Sequence, residues 1–332
     1  MTGQAKRQIG VCSAASTVAP MRAFDATETD AGLPSAALID ALRAMAIEGC
    51  TVPPRQTHAV PGIDGAAGGH VLLMPAWRVG GRLGVKVVNV FAGNVQRALP
   101  SLHAVYLLFD AGTGVPLAQI DGTQLTARRT AAVSALAASY LARADATRLV
   151  LVGAGRVAAL LPEAMAAVRG IVHVEVWNHR IEGAHALAQR LRAQGFAAEV
   201  AADLRAAVQR AHIVSCATLA TQPLICGEWL PAGVHVDLIG AFTPQMREAD
   251  AACVARARVY VDDEEALAKA GDLVQAAAEG QFSAAALQGT LGQLCRGSCR
   301  ARTRDEEVTL FKSVGSAWQD LAAAELVLGS AA

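Results

Sequence analysis

The stretch Arg148-Leu-Val-Leu-Val-Gly-Ala-Gly-Arg-Val-Ala158 carries an apolar strand straight into Gly-x-Gly-x-x-Ala and then into an alanine-rich helix. That order is the pattern of a dinucleotide phosphate cradle. Gly153 permits the tight turn, Gly155 lets the backbone approach a pyrophosphate, Ala158 lets the helix pack close to the strand, and the helix amino terminus faces the anion. Ala154, Arg156 and Val157 fall within the same turn and join the two glycines as candidate cofactor contacts. A lone motif of this kind is a weak signal, but here the flanks supply the strand, the helix and a second strand at the right interval. The cradle begins near residue 150, so something other than a dinucleotide-binding unit fills roughly the first 130 residues.

The second strand, residues 171–177, ends at Asn178-His179-Arg180, where the adenine ribose of a cofactor should lie. Glu175 stands about 20 residues beyond Gly155, as an NAD-selecting acid does, but it sits between Val174 and Val176 inside the strand rather than at its tip. Asn178 occupies the tip, cannot repel a 2′-phosphate, and is followed by two basic residues. Asn178, His179 and Arg180 therefore point to NADPH, with NADH as the alternative; taken alone, Arg180 is an ordinary solvated arginine. Strand patterns follow at 197–200, 212–216, 234–239 and 258–261, and helical spacing at 181–194, 204–210 and 264–279. Alternation of this kind implies an α/β fold with a parallel, doubly wound sheet.

The chain has 332 residues, 53% of them apolar, enough for two packed cores. Its 29 basic and 29 acidic residues cancel, so no sequence-wide field points to nucleic acid or to an anionic membrane. Arg296, Arg300, Arg302 and Arg304 read as a solvated loop. Seven scattered cysteines, Cys12 among them, do not form a disulfide framework and suggest a reducing cytoplasm. Cys295 and Cys299 lack a second pair, and the histidines lack ligand spacing, so no metal site is expected. No long uncharged apolar run is present, and Lys6 and Arg7 have no apolar segment after them, which speaks against membrane insertion and export. Residues 62–69 and 295–304 read as mobile loops.

The N-terminal part reads as mixed α+β, with a helix over 35–47 and strands at 71–75, 83–90, 104–110 and 116–121. A helix from Leu125 then leads into the cofactor unit with two adjacent arginines, Arg128 and Arg129, in its early turns. On a helix the two point about 100° apart, so only one of them serves any given site.

Several motifs in order give the chain a resemblance to the ornithine cyclodeaminase and mu-crystallin family: Pro53-Pro-Arg55, Leu72-Leu-Met-Pro75, Gly84-Val-Lys-Val-Val-Asn89, Leu125-Thr-x-x-Arg129-Thr-Ala-Ala132, the Gly153 cradle, Gly227-Glu-Trp229 and Leu310-Phe-Lys-Ser-Val-Gly315. The resemblance implies a Rossmann domain over 126–311 inserted into an α+β substrate-binding and dimerisation domain made of 1–125 plus 312–332, and it implies a homodimer. It also implies an imino acid pocket at Arg55, Lys86 and Arg129. Two guanidiniums and an ammonium suit a carboxylate held with its alpha carbon toward a nicotinamide. Lys86 is the catalytic candidate, either as carboxylate ligand or in protonating the imine or a water, and the sequence leaves both open. Arg128 is read as structural or solvated.

Where ornithine cyclodeaminases carry a proton-transferring aspartate, this chain has Phe242. A phenylalanine cannot take a proton, and the loop instead resembles the branch of cyclic imino acid (ketimine) reductases, NAD(P)H-dependent enzymes acting on CH–NH bonds. The resemblance thus implies reduction of Δ1-pyrroline-2-carboxylate to L-proline, and of Δ1-piperideine-2-carboxylate to L-pipecolate. The alternatives are a cyclodeaminase, an amino acid dehydrogenase using an open-chain 2-oxo acid and ammonia, or a non-catalytic NADPH- or small-ligand-binding protein. Asp237, earlier in the strand, either holds a loop or touches ligand. Ring size is expected to depend on Met74, Val87 and Phe242. Thr130, Ala217, Thr218 and Ser313 complete the candidate cofactor contacts, although hydroxyls at element ends are often caps.

Overall fold

A computed structural model describes residues 20–62 and 68–330; Lys6, Arg7, Cys12 and most of the 62–69 loop lie outside the described residues. The chain runs β1 (Arg22–Phe24), α1 (Ala26–Ala31), α2 (Ser35–Glu48), β2 (Gln56–Val60), β3 (Gly69–Trp77), β4 (Arg82–Val90), β5 (Leu102–Asp110), β6 (Pro116–Asp121) and the long helix α3 (Gly122–Leu141). It continues through β7 (Arg148–Val152), α4 (Leu161–Ala166), β8 (His173–Trp177), α5 (Ile181–Ala193), β9 (Ala197–Val200), α6 (Leu204–Gln209), β10 (Ile213–Cys216) and β11 (His235–Leu238). The last elements are α7 (Ala251–Arg256), β12 (Arg258–Val261), α8 (Ala266–Lys269), α9 (Gly271–Ala278), β13 (Gly289–Thr290), α10 (Leu291–Cys295), β14 (Thr309–Lys312) and α11 (Ala317–Gly329).

Among the described residues these strands form two sheets. The first, ordered β1-β6-β5-β4-β3-β2, is antiparallel except where β1 joins β6. The second, ordered β13-β12-β14-β11-β10-β7-β8-β9, is parallel at every pairing. Its order reverses between β7 and β10, so this is an α/β fold of the doubly wound, Rossmann-like kind. β8 and β9 extend one way from β7, and β10 and its neighbours extend the other.

α3 joins the sheets. Asp121 caps it by accepting from Gln124 N at 2.6 Å, and alanines along its buried length let it pack against α2, α4, β11 and β14 at once. The largest hydrophobic core runs without a break from Leu42 and Tyr106 of the first unit to Leu151 and Phe311 of the second.

Three local readings change. The helix expected directly after Gly155 starts as α4 only at Leu161; Pro162 has no N–H for the carbonyl of Ala158, and a run of turns fills the gap. The helix expected over 264–279 divides into α8 and α9 at Ala270, because Asp272 is drawn inward to accept from Glu248 N at 2.7 Å and Ala249 N at 3.0 Å. In the 295–304 stretch Arg296, Arg300 and Arg304 are exposed, as a solvated loop requires, but Arg302 is not. Arg302 donates to the carbonyls of Leu141, Glu307 and Gly233 at 2.6, 2.6 and 3.1 Å, and Tyr260 Oη donates to Arg300 O at 2.6 Å.

Candidate active site

Open parallel sheets bind ligands at the carboxyl edge where strand order reverses. At that edge here a cleft of about 510 Å³ is lined by Gly153, Gly155, Trp177, Asn178, Arg180 and Thr218, among others. Gly153 has φ +109°, and a Cβ there would lie 2.7 Å from Ala217 O, so only glycine lets the β7 turn pass the β10 turn. A Cβ on Gly155 would meet nothing within 4 Å. The space above the cradle is therefore open to a phosphate, and the residues fit a dinucleotide. Ala154, His179 and Ala217 line the same cleft.

The two sides of the cleft are set by different means. At the β8 tip, Asn178 Nδ2 donates to Arg180 O at 2.8 Å, while His179 and Arg180 are exposed. Glu175 is buried and engaged by Arg210 at 3.0 and 2.5 Å, so it is a structural residue away from the tip. After β10, Thr218 donates its N–H and Oγ to Glu248 at 2.7 and 2.8 Å, and Gly240 N donates to the other Glu248 oxygen at 2.7 Å. Burial pushes the Glu248 carboxyl up to about 7 in spite of Lys312, whose Nζ lies 3.2 Å from Asp272.

The remaining cofactor candidates are less uniformly placed. Arg156 borders a neighbouring hollow with Arg128 and Arg190, and Val157 packs on the core. Thr130 turns its hydroxyl into its own helix, donating to Thr126 O at 2.7 Å. Ser313 follows β14, and its N–H donates to Leu238 O at 3.1 Å beside β11.

Next to this edge three cations meet. Strand alternation puts Lys86 of β4 on the inner face with Met74 and Tyr106, its cross-strand neighbours. α3 brings in Arg129, whereas Arg128 turns away to Asp30 and Glu163, as a 100° rotation requires. Both inner cations meet Asp320 of α11: Lys86 Nζ lies 2.6 Å from Oδ2 and Arg129 Nε donates to Oδ1 at 3.0 Å. Arg55, half-buried before β2, donates to Gly315 O at 3.1 Å and shares a small cavity with Met74, Asp263 and Ser316. Burial lowers the Lys86 ammonium to about 8 although Asp320 supports its charge. Burial also acts to raise Asp320, but Arg129 and Lys86 together hold it below the usual range.

Asp320 and its neighbour Gln319 were not expected from the sequence. A signal was present: an acid and an amide in the otherwise largely apolar run Ala317-Trp-Gln-Asp-Leu-Ala-Ala-Ala, where burial requires a partner. One expectation about ring size changes. Val87 lies on the opposite face of β4 from Lys86, pairing with Leu73 and Val105, and so does not border the cations. Phe242 is 47% exposed. Asp237 is fully buried and accepts from Ser134 Oγ of α3 at 3.0 Å, so it braces strand to helix; burial pushes it up to about 7.

A parallel Rossmann-like sheet with an open phosphate cradle, flanked by a buried cluster of cations, defines a Rossmann-like protein whose edge cleft fits a dinucleotide. More narrowly, the chain belongs to the ornithine cyclodeaminase/mu-crystallin family, which it matches over residues 4–332. It is 42% identical over 293 residues to the Δ1-pyrroline-2-carboxylate reductase of Paracoccus denitrificans, covering 87% of this chain and 90% of that one. Among solved structures, that of the Thermococcus litoralis Δ1-pyrroline-2-carboxylate reductase with NADH and L-proline superposes with a TM-score of 0.87, at 30% identity over 94% of this chain and 97% of that one. An archaeal alanine dehydrogenase dimer with bound NAD gives a TM-score of 0.84, at 30% identity over 94% and 96% of the two chains.

Proposed function

We propose that this protein is an imine reductase acting on CH–NH bonds, reducing Δ1-pyrroline-2-carboxylate to L-proline and Δ1-piperideine-2-carboxylate to L-pipecolate with NADPH. The observation that carries the reading is the convergence of Lys86, Arg129 and Arg55 beside the dinucleotide edge, with more positive charge than Asp320 neutralises. A bound nicotinamide supplies the hydride. Arg129 and Arg55 grip the substrate carboxylate and orient the ring, a task for forked guanidiniums. Lys86, with its ammonium near 8, holds the proton that keeps the imine nitrogen in its electrophilic form. Burial of Lys86 and Arg129 keeps water from the reacting carbon. Gly153, Ala154, Gly155, Asn178, His179, Arg180, Ala217 and Thr218 hold the cofactor in this reading, with Arg156, Val157, Thr130 and Ser313 near its path. A basic tip without a carboxylate supports NADPH over NADH.

The same reading places a homodimer in a reducing cytoplasm. Residues 1–125 with 312–332 make the substrate and dimer part, supported by the packing of α11 on α2, α3 and β4; residues 126–311 make the cofactor part.

The test follows cofactor oxidation by purified protein with each cyclic imine, with NADPH against NADH, and with pyruvate plus ammonia. The expected result is turnover of the cyclic imines with preference for NADPH, and loss of that preference by about tenfold in Arg180→Ala with NADH turnover kept. Turnover with pyruvate and ammonia alone would instead make the protein an amino acid dehydrogenase.

A further inference from the structure

The three cations are themselves held, and the residues that hold them form an unbroken chain. Lys86 Nζ is 2.6 Å from Asp320 Oδ2, and Asp320 Oδ1 accepts from Arg129 Nε at 3.0 Å. Arg129 Nη1 donates to Gln319 Oε1 at 2.7 Å, and Gln319 Nε2 donates to Asp262 Oδ2 at 3.1 Å. Asp262, at the end of β12, accepts the backbone N–H groups of Val314 and Gly315 at 3.0 and 2.7 Å, and Gly315 O accepts from Arg55. The links come from β4, α11, α3, β12, the turn after β14 and the approach to β2.

We infer that Asp320 is the positioning residue for Lys86 and Arg129, and that Gln319 and Asp262 extend the same fixing through Gly315 to Arg55. The inference rests on the proposed reading of Arg129 and Arg55 as the substrate clamp and of Lys86 as the proton holder. Two neighbouring buried cations repel, and an unpaired buried charge is costly. Asp320 removes both problems by giving one oxygen to each. It also decides which edge of Arg129 is left for a ligand. Nε is taken by Asp320 and one Nη1 hydrogen by Gln319, so the Nη1/Nη2 edge remains, facing Gly315. At Gly315, with φ +81°, a Cβ would lie 3.0 Å from Arg129 Nη2, so a side chain there would be strained and would press on that edge. Gln319 is suited to the middle of the chain because an amide accepts from a guanidinium on one side and donates to a carboxylate on the other.

Lys86 gives a readout that bare structural support would not move. Besides Asp320, the titratable groups facing it are Arg129 of α3, Arg55 and the buried phenol of Tyr106 on β5. Burial, Arg129 and Arg55 all lower its ammonium; Asp320 alone raises it. Neutralising Asp320 therefore leaves only lowering influences.

The chain contains four lysines, Lys6, Lys86, Lys269 and Lys312, so a protein labelled with ¹³C at lysine Cε gives few resonances and Lys86→Arg assigns the one needed. In Asp320→Asn the Lys86 resonance should titrate at lower pH than in the wild type, kcat/KM for the cyclic imine should fall about 10²-fold at neutral pH, and Asp320→Glu should restore part of both. Gln319→Leu, which keeps the Lys86–Asp320 pair, should leave the titration in place and raise KM roughly tenfold with kcat nearly kept. A folded Asp320→Asn protein whose Lys86 titrates as in the wild type would overturn the inference, as would a Gln319→Leu protein with unchanged KM. If the wild type turns over no cyclic imine, the substrate reading fails, while the lysine titration still judges the role of Asp320.

Discussion

Lys86 is a cation in surroundings that oppose its charge. Burial is the larger influence and brings the ammonium down to about 8, with Asp320 resisting. In the proposed reaction the protonated form is the active one, and it is present below that value. kcat/KM for the cyclic imine is therefore expected to hold through neutral pH and to fall above about pH 8, without the same loss in cofactor affinity. A flat profile to pH 10 on the order of two units beyond would remove Lys86 from the proton-holding role.

The residues legible in the sequence were those whose chemistry is stated by spacing. The glycines at 153 and 155 announce a turn and an open space, and both features are present. Rotation separates Arg129 from Arg128, while the choice of Arg129, like that of Arg55 and Lys86, is what the family resemblance implied. Asp320 was not legible, because its partners stand on β4 and α3 and its distance in sequence from Arg129 is 191 residues. Only folding brings them together. The same holds for Glu248, which looks like a loop acid but carries the turns at Thr218 and Gly240.

At the scale of elements, β11 shows how a buried acid ties a strand to a helix. Asp237 is pushed from 3.8 up to about 7 by burial, with Ser134 donating to it from α3. The folded state thus keeps a proton that the unfolded chain releases. The stability linked to that proton is present below about pH 4 and is lost as pH rises through about 7. Asp237→Asn keeps an acceptor for Ser134 and does not titrate. Its stability relative to the wild type should rise between pH 5 and pH 8 by on the order of 2 kcal/mol, read from denaturant unfolding at each pH. A constant difference would mean that Asp237 ionises normally in the fold. β14 was among the strands not read from the sequence: Thr309–Lys312 joins β11 to β12 although it follows both in the chain. Periodicity finds strands and does not order them. The division of α8 from α9 was hidden for a related reason, since helical spacing continues across Ala270 while Asp272 answers to backbone groups of another segment.

At the scale of the whole molecule, the first sheet has one face on the core and another lined by apolar side chains. Leu73, Val87 and Val105 form one cross-strand row on that outer face, and Pro75, Val85 and Leu107 form the next. Apolar rows of this extent on an outer sheet face suit a partner surface, and they support the proposed homodimer. Val85→Asp should shift light-scattering mass from dimer to monomer while leaving the unit folded; a variant that stays dimeric would place the interface elsewhere.

In the proposed reaction this fold brings a dinucleotide to a clamped cyclic imine so that hydride reaches the carbon bearing the carboxylate. The most direct measurement is turnover of Δ1-pyrroline-2-carboxylate with NADPH carrying deuterium at the transferable C4 position, followed by mass spectrometry of the product. The account predicts L-proline with one deuterium at its alpha carbon. Proline without the label, or label found only when ammonia and an open-chain oxo acid are supplied, would contradict it.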